Sequence, residues 1–297
     1  MHLLVSFRGV RPPCLAALGL LDVRTGRFRI ALELPPGGER CDGLAGLAHS
    51  ARTLFVAASP FRHLGESEPS ILAFRASDLS VEARYRLDGL ADLSGLCWLD
   101  GSLYAVSSGT GEVVAFRAVG DRIDPVDRFS WRPRLAIEGK ADPALHALAF
   151  VRGELFASAT DRGSLDAFLF NITRDSVAAR ALQDPRSLAE VDGSLCYAAG
   201  RFGAVHRLGD DFSPANSAGI PGLTRGLCQA DGSLFVGSSS EGKCIIHRLS
   251  ADDLSIQQSF PLDVAGAEVA DLLPIEGAGA WPDPPEPIWT DSFGELI

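Results

Sequence analysis

Apolar and polar residues alternate along this chain in short runs, and one pattern of runs recurs. It is clearest between Ser94 and Arg117. Leu96 to Leu99, Leu103 to Ser107 and Val113 to Phe116 each read as a strand, because β-branched, aromatic and leucine residues alternate with small or polar ones over a few positions. Asp100-Gly101 separates the first two runs, and Asp-Gly is the pair a two-residue hairpin turn asks for, since both central residues take positive φ. Gly109 and Gly111 flank the connection to the third run.

The same unit returns, each copy opening on a leucine with an apolar residue seven positions later. Leu47 with Leu54, Leu96 with Leu103, Leu148 with Leu155, Leu188 with Leu195 and Leu227 with Leu234 mark five copies, their first leucines 39 to 52 residues apart. That period belongs to a four-stranded propeller blade with loops of varied length. A sixth copy is divided between the ends. Val269 to Ile275 reads as its first strand, Leu3 to Gly9 as its second, and Leu15 to Val23 with Phe28 to Leu34 as the outer two. The expectation is an all-β, six-bladed propeller over residues 1–276, its ring closed by pairing the C-terminal first strand with the N-terminal strands, which removes both open edges. Residues 277–297 do not repeat; Trp281, the prolines around it, Trp289 and Phe293 suit a tail packed on the propeller.

Composition narrows the setting. The chain has 297 residues and a formal net charge of −11, which argues against nucleic acid or an anionic membrane as partner. No apolar run is long enough to span a bilayer, and Met1 to Arg8 lacks the basic and apolar regions of a secretion signal. The six cysteines, Cys14, Cys41, Cys97, Cys196, Cys228 and Cys244, show no metal-ligand spacing. Cys97 and Cys228 fall at one repeat position and read as buried free thiols. A cytoplasmic protein is expected.

Three stretches carry a resemblance: Asp100 to Val113, Pro221-Gly222-Leu223-Thr224-Arg225-Gly226-Leu227 followed by Leu234-Phe235-Val236-Gly237, and Glu268-Val269-Ala270-Asp271. With these the chain resembles a bacterial β-propeller family of unknown function. The resemblance implies the propeller fold and no particular activity. Gly95-Leu96-Cys97-Trp98 stands where that family carries a Pro-Arg pair before the tryptophan, so no role of that arginine transfers.

The repeat itself selects candidate site residues. In a propeller, the loops entering each first strand and leaving each second strand lie on one face around the central channel, where polar groups from all blades converge. Two positions before each first leucine stand Ala45, Ser94, His146, Arg186, Arg225 and Ala270. Leaving the second strands are Arg8, Arg62-His63, Ser108 with Thr110, Thr160-Asp161-Arg162, Arg201 and Ser238 to Ser240. Arginines gathered at one mouth of an acidic protein point to a small carboxylate- or phosphate-bearing ligand, because guanidinium pairs bidentately with such groups. Arg186, Arg225, Arg201, Arg162, Arg8 and Arg62 are therefore the expected binding residues, with His146 and Glu268 as acid–base groups for a lyase, isomerase, cyclase or hydrolase reaction. Asp42, Asp92, Asp142, Asp161, Asp184, Glu112, Glu241 and Asp271 share the face and pair some of the arginines.

Other chemistries fit less well. No cofactor is expected. Asn171 and Asn216 are the only asparagines, too few and misplaced for a Glu/Asn/Asp calcium set, which leaves a His–carboxylate divalent metal as the remaining metal reading. Gly109-Thr110-Gly111 precedes a strand, not a helix, and is no dinucleotide fingerprint; no Gly-x-Ser-x-Gly occurs. Cys41 beside Asp42 lacks a spaced histidine partner. The competing class is a non-catalytic propeller that docks another protein.

Overall fold

The computed structural model describes residues 1–9, 16–34, 42–60, 69–119, 122–130, 143–162, 166–264 and 266–276. Arg62, His63, Cys14, Cys41, Asp142 and the 277–297 tail lie outside them. No α-helix occurs among these residues, and every strand pairing is antiparallel.

The strands follow the expected units. The first are β1 (His2–Gly9), β2 (Ala16–Asp22) and β3 (Phe28–Leu34), then β4 (Asp42–His49), β5 (Thr53–Pro60), β6 (Ser70–Arg75) and β7 (Val81–Arg86). Next come β8 (Leu93–Leu99), β9 (Ser102–Ser107), β10 (Glu112–Val119) and β11 (Arg122–Ser130), and β12 (Pro143–Val151), β13 (Glu154–Asp161), β14 (Ala167–Asn171) and β15 (Ser176–Arg180). The last are β16 (Pro185–Val191), β17 (Ser194–Ala199), β18 (Ala204–Leu208) and β19 (Pro214–Gly219), then β20 (Leu223–Ala230), β21 (Ser233–Ser240), β22 (Lys243–Ser250) and β23 (Ile256–Leu262), and finally β24 (Ala267–Ile275).

β8–β11, β12–β15, β16–β19 and β20–β23 are each a four-stranded sheet, and the remaining eight strands form one larger sheet. Within that sheet β24 pairs with β1, from His2 opposite Ile275 to Gly9 opposite Ala267, and a single bridge, Arg8 opposite Gly43, links β1 to β4. The strands that open the units pack in sequence: β4 on β8, β8 on β12, β12 on β16, β16 on β20, β20 on β24, and β24 on β4. This is a β-propeller arrangement of repeated four-stranded sheets.

The turns have the anticipated chemistry. Asp100 and Gly101 have φ of 49° and 76°, the two positive values a type I′ hairpin needs, and Asp192-Gly193 and Asp231-Gly232 repeat them. Apolar residues then fill the spaces between neighbouring sheets. Leu3, Val5 and Phe7 of β1 share one cluster with Phe235, Ile246, Phe260 and Val269, tying the two ends of the chain into a common core. Trp98 stacks on Phe55 of the preceding sheet with ring centroids 5.3 Å apart.

The cysteine reading is corrected in one detail. Cys228 is buried, but Cys97 is half-buried, packed from outside against the cluster that holds Leu148 and Phe168. Cys97, Cys196, Cys228 and Cys244 are all free, and burial pushes the Cys97 thiol up to about 11.

Candidate functional site

Each unit-opening strand breaks register at the same repeat position. The shifts fall between Leu44 and Leu47, Leu93 and Gly95, Leu145 and Leu148, Pro185 and Ser187, and Arg225 and Leu227; where β24 pairs β1 the shift lies opposite Ser6 and Phe7, at Ala270. A bulge inserts an extra residue and re-aims its side chain. Ser94, Arg186 and Ala270, two before their leucines, are the extra residues in three of these strands; Ala45-Gly46 and His146-Ala147 are both left unpaired in two others, and in β20 the extra residue is Gly226, next to the paired Arg225. The sequence marked these positions; the bulges at them were not visible in it.

A cavity of about 540 Å³ collects the result. Asp92, Ser108, Ala144, His146, Thr160, Arg162, Arg186, Arg201, Leu223 and Arg225 line it, so His146 and four of the expected arginines meet in one space. Arg8 and Glu268 are not among its described lining residues. They pair with each other instead, Arg8 Nε and Nη2 donating to Glu268 Oε2 at 3.2 and 3.1 Å.

Asp184 organises the arginines. Its buried carboxylate accepts from Arg186 Nε at 2.7 Å, from the Arg201 backbone N–H at 3.0 Å and from Arg201 Nε at 3.4 Å. The two guanidiniums and these bonds outweigh the desolvation that would raise it, and hold its pKa below the usual carboxylate value. Gly200 makes room for this junction: a Cβ there would lie 2.4 Å from Arg186 Cγ and 2.7 Å from Asp184 Oδ2. Asp184 was among the acidic residues expected to pair arginines on this face, and the repeat marks its place. It stands two residues before Arg186, as Asp92 stands before Ser94 and Glu268 before Ala270.

His146 is buried, and its ring bridges neighbouring sheets. Arg186 Nη1 lies 3.4 Å from Nδ1, and Thr160 Oγ1 lies 3.1 Å from Nε2. A guanidinium only donates, so Nδ1 is the acceptor, the ring proton sits on Nε2, and Nε2–H donates to Thr160. Burial first, then the charges of Arg186, Arg225, Arg162 and Arg201, push its pKa well below the ordinary histidine value. The ring is neutral at physiological pH.

Arg225 is placed differently. Its Nε is buried without an acceptor among the described residues. Desolvation, then the like charge of Arg8, pulls the guanidinium down to about 9, which leaves it charged at neutral pH. Arg162 Nη2 donates to the Ser108 carbonyl at 2.9 Å.

An adjoining cavity of about 380 Å³ continues between the unit-opening strands and shares Arg186 with the first. Asp271 lines it at a repeat position where the other units carry Gly46, Gly95, Ala147, Ser187 and Gly226. Its carboxylate accepts from the Leu47 and Leu272 amides, both at 2.9 Å, and burial pushes it up to about 7. Among the described residues no three His, Cys, Asp or Glu side chains cluster as a metal site.

No protein-family model and no curated protein matches the chain. Solved structures do. A chain of the nidogen–laminin complex is 13% identical, with a TM-score of 0.66 over 91% of this chain and 97% of that one. A protein of unknown function from Bacteroides caccae is 12% identical, with a TM-score of 0.65 over the same shares. A periplasmic gluconolactonase from Pseudomonas aeruginosa is 13% identical, with a TM-score of 0.56 over 91% of this chain and 98% of that one. At such identities the likeness establishes the fold alone.

Proposed function

We propose that this protein binds a small anionic molecule in the 540 Å³ cavity, with Arg186, Arg201, Arg225 and Arg162 holding it. The observation that carries this reading is the charge arrangement. Arg186 and Arg201 share the carboxylate of Asp184, and Arg225 Nε has no acceptor among the described residues. Buried cationic donors left unsatisfied cost free energy, which an anion's oxygens would recover as charge-assisted hydrogen bonds.

Proton transfer in this reading falls to His146 at the cavity wall, or to Glu268 for a substrate that extends beyond the described wall. Each is engaged in the resting protein, His146 with Arg186 and Thr160, Glu268 with Arg8. Either group becomes a base by exchanging its arginine for substrate, so lyase, isomerase, cyclase or hydrolase chemistry would be coupled to ligand arrival. Gluconolactonase is among the activities named for chains of this fold, which is compatible with a hydrolase.

The architecture assumed is six four-stranded blades. The eight-stranded sheet then counts as two blades, β24-β1-β2-β3 and β4-β5-β6-β7, joined only at the Arg8–Gly43 bridge. The circular packing of the unit-opening strands supports this count. A cytoplasmic location belongs to the same proposal, supported by the free thiols. No helix among the described residues is long and apolar enough to cross a membrane. A protein-docking role has less behind it: Phe202, 61% exposed beside Arg201, is a single aromatic and not a patch.

A thermal-stability screen against small metabolites tests the binding. A ligand at 100 times its Kd adds about 2.7 kcal/mol, and the hits should be anions whose effect is lost in an Arg186→Ala/Arg225→Ala variant. Hits that stabilise this variant as strongly as the parent would place the site elsewhere.

A further inference from the structure

We infer that the anion held at the mouth also carries a primary ammonium group, which Asp271 receives in the adjoining cavity; the inference rests on the anion-binding reading above. The presence of a carboxylate at this place is the first observation. At its repeat position the other units carry Gly46, Gly95, Ala147, Ser187 and Gly226. Contact between units needs no charge there. Ser187 Oγ accepts the Gly226 amide of the next unit at 2.8 Å, just as Asp271 Oδ2 accepts the Leu47 amide at 2.9 Å. A buried carboxylate costs free energy that a hydroxyl does not, so the unit-to-unit bond alone does not call for an aspartate.

The spare capacity of that carboxylate points to a cation. Its other oxygen, Oδ1, accepts from the Leu272 amide at 2.9 Å, and among the described residues main-chain amides are its hydrogen-bond partners. An ionised carboxylate has about four acceptor sites, so each oxygen can take a further donor. Asp271 lines the 380 Å³ cavity together with the small residues Gly95, Ala147 and Ser187. No metal-ligating trio gathers around it among the described residues, which favours a cation that brings its own hydrogens over a metal ion needing many oxygens. A primary ammonium, with three N–H donors, is such a cation.

Arg225 supplies the opposite pole. Its Nε is buried with no acceptor among the described residues, and the side chain lines the 540 Å³ cavity. Arg225 and Asp271 belong to β20 and β24, which pack side by side. Their backbones meet closely: a Cβ on Gly226, next to Arg225, would lie 3.0 Å from the Asp271 carbonyl carbon and 3.1 Å from its Cα. Arg186 lines both cavities where they adjoin, with Nε on Asp184 and Nη1 on His146 holding its guanidinium between β12 and β16. Burial moves both poles toward neutrality, Arg225 down to about 9 and Asp271 up to about 7. A ligand with a carboxylate and an ammonium group supplies a counter-charge to each, whereas a simple anion supplies one.

Calorimetric titration of the full chain at pH 8, where Asp271 is ionised and an aliphatic amine is protonated, tests this. The probes are length-matched pairs, from acetate with glycine up to hexanoate with 6-aminohexanoate. At one or more lengths the amino compound should bind at least tenfold tighter than its amine-free partner. That advantage should vanish in Asp271→Asn and in Asp271→Ser, while the amine-free carboxylate keeps its affinity within about twofold. Asp271→Ser copies the arrangement at Ser187 and serves if the Asn variant does not fold. Arg225→Gln should weaken both members of a pair at least tenfold. If the carboxylates bind through Arg225 and the amine adds nothing at any length, the anion site stands and the ammonium inference falls. An advantage that persists in the Asp271 variants also overturns it. If no probe binds, both readings fall.

Discussion

Arg186 donates to His146 across two neighbouring sheets, Nη1 to Nδ1 at 3.4 Å, and so fixes the ring's tautomer as well as its orientation. The bond joins two residues at the same repeat position of successive units. It makes His146 an acceptor that a proton would destroy, since imidazolium cannot receive the guanidinium's hydrogen.

Stability should therefore fall in mild acid. The His146 pKa is depressed in the folded chain, chiefly by burial, and is ordinary in the unfolded one. Its contribution is present above about pH 6.5 and is lost as pH falls through the folded value. His206 and His247 shift the same way. His146→Gln, which keeps an acceptor without the titration, should flatten the loss of melting temperature between pH 7 and pH 5. Identical pH slopes for the two proteins would contradict this assignment.

Arg186 and Arg225 should differ in the free protein. Arg186 satisfies the buried Asp184, so Arg186→Ala should cost about 1–3 kcal/mol in denaturant unfolding. Arg225 gives up no hydrogen bond to a described residue, and Arg225→Ala should change stability by less than about 0.5 kcal/mol or raise it. Equal losses in both variants would mean that Arg225 is a structural strut.

Asp184→Asn removes the charge that orients two guanidiniums at once. Anion affinity should drop by roughly 10-fold or more, about 1.4 kcal/mol, even though no positive charge has been removed. An unchanged or stronger affinity would show that net charge alone, and not the fixed positions of Arg186 and Arg201, determines binding.

Asp271 should act in the opposite pH direction from His146. Burial raises its folded pKa to about 7, so its contribution is complete at low pH and is lost as pH rises from the unfolded value near 4 toward 7. Relative to Asp271→Asn, the parent should lose on the order of 1–2 kcal/mol over that interval, less than the full linkage value because the channel is open to water. The comparison is read as the difference between the two pH–stability curves, and a constant offset would show that Asp271 does not titrate there.

The spacing of Leu47, Leu96, Leu148, Leu188 and Leu227 was enough to identify a repeated four-stranded unit, because strand periodicity and Asp-Gly turns are local properties, and it led to the expectation that the chain ends pair, as β24 and β1 do. It also placed His146, Arg186 and Arg225 at one entry position and Arg162 and Arg201 at the neighbouring exits, and these five residues line one cavity. What it did not determine was which charges cancel. Arg8 faces Glu268 because β24 and β1, at opposite ends of the chain, are register neighbours, and that pair stands apart from the described wall of the cavity. Asp184 takes two arginines because Gly200 lets Arg186 and the turn after β17 approach it closely. Arg225 Nε has no acceptor among the described residues, and Leu223, two residues before it, occupies the repeat position that Asp184 and Glu268 hold in other units. Repeat position sets the direction of a side chain, but its pairing depends on distances between sheets, which only the assembled tertiary structure fixes.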